Sequence, residues 1–229
     1  MTAPRKVLLG TPCFDGRPEA WYMHCVVQTI KACAARNIEI TPILMSYDAM
    51  IQRARNDLLK LALDIGADDL LFIDADEVWE AAWALRLLDH DVDVVGGPVR
   101  KKTDDAELYN VRANSPFMPI DAKTGLWIVN GIGTGFLRLS RSALQALWDQ
   151  SADEEYEDNG KINRMVFNVA VVNRRLVSED NFMCNRLTEA GFKIYLDPSF
   201  TVAHIGPKRY TGDFLAWITA MQRNARAAA

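Results

Sequence analysis

Leu70-Leu71-Phe72-Ile73-Asp74-Ala75-Asp76-Glu77 sets three acids directly after four uninterrupted apolar residues. A short, wholly apolar run suits a strand covered on both faces, as in a parallel sheet. In open α/β sheets, ligands bind beyond the carboxyl ends of such strands. Two carboxylates at i and i+2 in that place can converge on one hard divalent cation, which prefers oxygen ligands. A polar turn that happens to contain acids is the competing reading.

Strand and helix signals alternate on both sides of this segment. Residues 6–9 read as a buried strand ending at Thr11-Pro12, and 19–36 as a helix with Trp21, Cys25, Ile30 and Cys33 at helical spacing. A strand over 39–45 precedes a helix over 50–65. That helix carries Ile51, Ala54, Leu58, Leu61 and Ile65 on one face, and Gly66 caps it. A helix over 79–88 and a strand over 92–95 follow. The alternation implies a twisted α/β sheet with right-handed crossovers, its third strand in a central parallel position.

The pattern loosens after Gly97. Residues 101–125 read as hairpin strands or an active-site loop. Strands over 126–129 and 133–139 lead to a helix over 141–148. The polar, acidic stretch 150–163 reads as a solvated flexible loop. Residues 166–172 are strand-like, 179–190 form a helix ended by Gly191, 192–196 a strand, and 213–226 a helix.

Composition narrows the function classes. The chain has 229 residues, 49% hydrophobic and 24% charged, which suits a soluble globular domain able to bury a core without staples. One domain over 1–229 is expected. A net charge of -4 disfavours a strongly basic nucleic-acid-binding domain. No apolar run is long enough to span a membrane, and the first residues lack the length and cleavage site of a secretory signal. Cys13, Cys25, Cys33 and Cys184 form no C-x-x-C pair, so free thiols in a reducing cytoplasm are the simplest reading.

Two further segments carry chemistry. Ser178-Glu179-Asp180-Asn181 opens a helix. Acids in a first helical turn are favoured by the macrodipole, and Ser178 suits an N-cap. A carboxylate held there beside a cleft can equally act as a general base. His204-Ile205-Gly206-Pro207-Lys208 follows a strand. Its imidazole can join two carboxylates on a metal, Gly206 permits close backbone approach, and Lys208 suits phosphate as a point charge. His24 and His90 lie outside any such segment and read as structural.

The order of these segments resembles the GT-A glycosyltransferases, which use nucleotide sugars and a D-x-D motif. The resemblance runs over about residues 5 to 210. It takes in Thr11-Pro12-Cys13, Arg53-Ala54-Arg55-Asn56, Asp74-Ala75-Asp76, Gly133-Thr134-Gly135-Phe136, Ser178-Glu179-Asp180 with Arg186 and Gly191, and His204. The Glu-Asp pair is similar to inverting family-2 enzymes, and the Arg-Asn helix with Asp-Ala-Asp to small phage transferases. The resemblance implies a GT-A, Rossmann-like, mostly parallel sheet flanked by helices, with a nucleotide-binding half at 1–97 and an acceptor-binding half at 98–229. It implies that Thr11, Pro12, Asp15, Arg53 and Asn56 face the nucleotide and that Asp74 meets ribose or metal. Asp76 and His204 complete the site for Mn²⁺ or Mg²⁺, and Lys208 meets phosphate. Gly133 to Phe136, with Gly135, shape the sugar floor. Asp180 is the implied base, with Glu179 the weaker candidate.

The implied reaction moves a sugar from a nucleotide-diphosphate sugar to an acceptor hydroxyl, with inversion. A nucleotidyltransferase of the same fold and an inactive sugar-nucleotide-binding module are the alternatives. The first is weakened because no glycine-rich, lysine-containing triphosphate loop follows the first strand. A hydroxymethylated DNA base and a glycan both remain as acceptors. Arg100-Lys101-Lys102 reads either as an exposed basic loop or as contacts to nucleic-acid phosphates.

Overall fold

The computed structural model describes residues 3–228. Seven strands build the central sheet: β1 (Arg5–Cys13), β2 (Ile38–Ser46), β3 (Asp69–Ile73), β4 (Val94–Gly96), β5 (Trp127–Val129), β6 (Phe136–Ser140) and β7 (Ile194–Leu196). Their spatial order is β2-β1-β3-β6-β4-β7-β5. Five strands run one way, while β6 and β5 run against their neighbours. The Rossmann-like, mostly parallel α/β sheet read from the sequence is present. The place of β3 is not the one expected: β1 pairs with it in parallel, but β6 lies antiparallel on its other side. Chain from beyond residue 97 therefore sits in the middle of the sheet.

Six helices flank it: α1 (Ala20–Ala34), α2 (Ile51–Asp64), α3 (Ala81–Asp89), α4 (Arg141–Gln150), α5 (Glu179–Glu189) and α6 (Phe214–Ala227). Alternation along each strand divides the core into two layers. Leu8, Leu70 and Phe72 point toward a cluster with Leu58, Leu59, Leu144, Leu187 and Phe214. Val7, Leu9, Leu71 and Ile73 point toward Tyr22, Cys25, Leu87 and Phe136. All five residues of β3 are buried, each large apolar side chain contributing roughly 1.5–3 kcal/mol. On α2, Ala54 and Leu58 are buried, whereas Ile51 at its start and Ile65 just past its end stay exposed.

Two readings of the second half are corrected. The acidic stretch 150–163 is ordered: a 3-10 turn (Ala152–Glu154) leads into a hairpin of Glu155–Asp158 with Lys161–Arg164. Asn159 and Gly160 turn it with positive φ of 51° and 75°, the hairpin signature of Asn-Gly. The hairpin is anchored by Asn163 donating to Asp57 at 2.6 Å and by Arg164 lying over the Trp148 ring. Charge suggested solvent, but these contacts hold it on α2 and α4. In 166–172, only Ala170–Val172 is strand, paired with Arg175–Val177 in an exposed hairpin. Val166 and Phe167 are fully buried core plugs outside it.

Among the described residues no helix is long and apolar enough to cross a membrane. All four cysteines are buried thiols.

Candidate active site

Because β1, β2 and β3 are parallel, their carboxyl ends emerge at one rim. A cleft of about 540 Å³ opens there, lined among others by Pro12, Asp15, Asp74, Asp76, Lys102 and His204. The backbone at the end of β3 is clipped in place. Asp74 N donates to Gly135 O at 3.1 Å, and Ile205 N donates to Asp76 O at 2.7 Å. The strand Ala203–Ile205 pairs antiparallel with Glu77–Val78, and that pairing brings His204 to the acids.

His204 Nδ1 lies 3.1 Å from the Arg100 carbonyl and Nε2 lies 3.2 Å from Asp76 Oδ1. A carbonyl only accepts, so Nδ1 carries a proton and Nε2 is the nitrogen presented to Asp76. Carbonyl support of this kind fixes the tautomer of a metal-ligating histidine. The other Asp76 oxygen, Oδ2, is paired with the Lys102 ammonium. Burial opposes ionisation of Asp76, but its contacts with His204 and Lys102 outweigh it and hold its carboxyl below the usual range.

Arg55 ties this rim to the start of α5. Its Nη2 donates to Asp74 Oδ1 at 3.1 Å and its Nη1 pairs with Glu179 Oε1. The guanidinium is buried and its Nε has no partner. Asp180 faces differently: its Oδ1 accepts from the Ser178 hydroxyl and from Asn181 N. Ser178 is the N-cap by position, yet its side chain bonds Asp180 and Asn181 rather than capping a backbone amide. Beneath the D-x-D, Glu77 is buried with Oε2 unpartnered. Burial pushes its carboxyl well above the usual carboxylate range, and Asp74 and Asp76 add to the shift.

The remaining sequence-derived residues are placed as follows. Thr11 is fully buried, its hydroxyl bonded to Tyr22 Oη. Arg53 pairs with Asp48 and Asp158. Asn56 is fully buried and holds the backbone of Phe167 through Phe167 N at 2.7 Å and Phe167 O at 3.3 Å. A Cβ on Gly133 would stand 2.7 Å from Asn110 Nδ2; on Gly135 it would collide with Glu77 Oε1 and lie 3.3 Å from Asp74 Oδ2. Lys208 pairs with Asp104 at 2.5 Å, an exposed couple, and lies over the Tyr210 ring. His90 bonds Asp197 at 2.8 Å, and His24 meets Trp21 edge-on.

Lys101 and Lys102 are exposed, as the basic-loop reading expects, but Arg100 does not share that surface. Arg100 is buried and donates to the carbonyls of Lys101, Thr103, Ala106 and Leu108. Lys102 points into the cleft.

Arg55 and Glu77 stood in segments singled out from the sequence but were given no role there, and Lys102 was read only as one of a basic triplet. Arg55 had a signal: it precedes Leu58, Leu59 and Ala62 by three, four and seven residues, and so shares their buried stripe on α2. Glu77 stood in the quoted acidic run. Lys102 had its basic triplet as a signal, but nothing local told it apart from Lys101 or tied it to Asp76.

No family model and no curated protein matches the chain. Solved structures do resemble it. A197 from STIV superposes with a TM-score of 0.52 at 17% identity, covering 88% of this chain and 86% of that one. A protein designated a nucleotide-diphospho-sugar transferase, from Desulfovibrio desulfuricans G20, gives 0.41 at 9% identity, over 85% of this chain and 80% of that one. The inositol-1-phosphate CTP transferase from T. maritima gives 0.42 at 7% identity, over 89% and 90%. The chain thus shares its fold with A197.

Proposed function

We propose that this protein is a glycosyltransferase that moves a sugar from a nucleotide-diphosphate sugar to an acceptor hydroxyl with inversion. The observation that carries the reading is Arg55. One buried guanidinium holds both Asp74 of the D-x-D and Glu179, the neighbour of Asp180. It couples the donor side of the cleft to the helix start that offers a base.

The donor set suits Mn²⁺ or Mg²⁺. Among the described residues no three His, Cys, Asp or Glu form a complete cage. Such ions, Mg²⁺ above all, use one or two protein carboxylates plus substrate phosphates and water rather than an all-protein cage. Asp76 and His204 would hold the ion, with Asp74 nearby; when bound it stabilises, as a Lewis acid, charge developing on the diphosphate.

Pro12 and Asp15 line the nucleotide end of the cleft. Gly135 keeps the floor low beside Asp74. The acceptor oxygen attacks the anomeric carbon while the bond from that carbon to the diphosphate oxygen breaks. The electron pair leaves with the nucleoside diphosphate, and the acceptor proton passes to Asp180. Both bonds Asp180 accepts fall on Oδ1. Glu179 is committed to Arg55 and positions it. Single in-line displacement of an α-linked donor gives a β-linked product.

The test is product analysis by NMR. Release of nucleoside diphosphate with a β-glycosidic product supports the reading. Release of pyrophosphate from a nucleoside triphosphate and a sugar phosphate would replace it with nucleotidyl transfer.

A further inference from the structure

A lysine of the chain itself reaches the D-x-D carboxylate in the cleft. Arg100, donating to four carbonyls between residues 101 and 108, knots this segment into a fixed loop. The Arg100 carbonyl in turn receives His204 Nδ1, so loop and histidine strand are locked together. Lys102 leaves this loop and runs past Gly206, where a Cβ would stand 3.1 Å from Lys102 Cδ and 3.7 Å from Cε. The missing side chain at 206 makes the groove for the lysine stem. The ammonium ends on Asp76 Oδ2, opposite the oxygen that faces His204 Nε2.

Its neighbours are disposed otherwise. Lys101 is exposed and does not line the cleft, and Lys208 is engaged with Asp104. Lys102 is the lysine that lines the cleft. An ammonium on Asp76 repels any divalent ion approaching the same carboxylate. It is also one flexible stem away from whatever anion enters.

We propose that Lys102 is a phosphate-binding residue of the cleft and that, before a diphosphate arrives, it guards the cation position on Asp76. An entering diphosphate draws the ammonium off Asp76 and frees Oδ2 for the divalent ion. Cation and diphosphate then bind cooperatively through one side chain, and the coupling is reciprocal. This rests on the donor reading above, of which it names the phosphate ligand.

Lys102→Met tests it, since methionine keeps an apolar stem against Gly206 and removes the charge. Mn²⁺ alone is titrated against each protein by the electron paramagnetic resonance of the free ion. Inorganic pyrophosphate is titrated by calorimetry in chelator-treated buffer. Lys102→Met should bind Mn²⁺ about tenfold more tightly and pyrophosphate about tenfold more weakly. Lys102→Arg should retain pyrophosphate binding, and Lys101→Met should change neither titration. A normal unfolding midpoint shows that each variant is folded. Unchanged or weaker Mn²⁺ binding in Lys102→Met, no Mn²⁺ binding by any of the proteins, or unchanged pyrophosphate binding would overturn the proposal. If nucleotide sugars fail to bind any of these proteins while pyrophosphate behaves as described, the donor reading falls and Lys102 keeps its anion role.

Discussion

Both rims of the central sheet hold buried charge, and they hold it differently. At the amino ends of β1 and β3, Asp69 is almost fully buried. It receives Arg5 Nε at 2.6 Å and Arg138 Nη1 at 3.3 Å. Arg138 spends its other donors on the carbonyls of Leu87 and His90. At the carboxyl ends, Arg55 Nε, Glu77 Oε2 and the nearby Thr134 Oγ1 are buried without partners, and Asp76 is held by side chains from distant segments. A buried polar group left unpaired costs about 1–3 kcal/mol. A rim that carries several such groups has hydrogen-bonding capacity a ligand can satisfy; a rim whose charges are all matched has none to spare.

The largest effect expected of this contrast is chemical. Asp180→Asn should lose transfer by about 10²–10⁴-fold, the usual share of a general base, with an unchanged unfolding midpoint. Glu179→Gln should cost less. Near-native turnover of Asp180→Asn would break the division of labour between the two acids.

Next comes the matched rim. Arg138→Ala leaves Asp69 buried beside one partner only, and should destabilise the fold by about 3–5 kcal/mol in denaturant unfolding. Burial already lowers the tendency of Arg138 to stay charged, against which Asp69 is its main support. A loss below about 1 kcal/mol, the level of a surface ion pair, would erase the distinction between the rims.

A smaller effect sharpens the same point away from the cleft. Asp197 is buried, and although burial opposes its ionisation, hydrogen bonds from His90, Ser199 and Arg86 hold its carboxyl well below the usual range. A depressed folded-state value stabilises above the unfolded value, near 3.8, and that stability is lost as pH falls below it. Asp197→Asn should therefore cost about 2 kcal/mol at pH 7, and the gap to wild type should shrink as pH drops below about 4. A pH-independent gap would assign the loss to packing instead.

Much of this was legible in the sequence where pairing is local or the burial two-sided. The runs in β1 and β3 and the alternation of helices with strands follow from hydrophobic pattern alone. The insertion of β6 between β3 and β4 was not legible, because strand direction and neighbour are set by long-range pairing. The 155–164 hairpin was masked by its acids, although Asn159-Gly160 marks its turn. In the site, the meeting of Asp76 with His204 was readable from two strand ends. The choice of Arg55 over Arg53 needed the helical phase of α2. The entry of Lys102 needed the Arg100 knot and the groove at Gly206, two features that exist only after folding.

The central claim is that the carboxyl rim binds a nucleotide sugar through Asp76. Thermal unfolding of wild type and Asp76→Asn, with Mn²⁺ and a panel of nucleotide sugars, tests it most directly. A ligand at 100 times its dissociation constant adds about 2.7 kcal/mol, which for a chain of this size raises the midpoint by roughly 5–10 °C. The account predicts such a rise for at least one nucleotide sugar in wild type, with its loss in Asp76→Asn and on chelation. A wild type whose midpoint moves with none of them, or an Asp76→Asn protein stabilised equally, would contradict it.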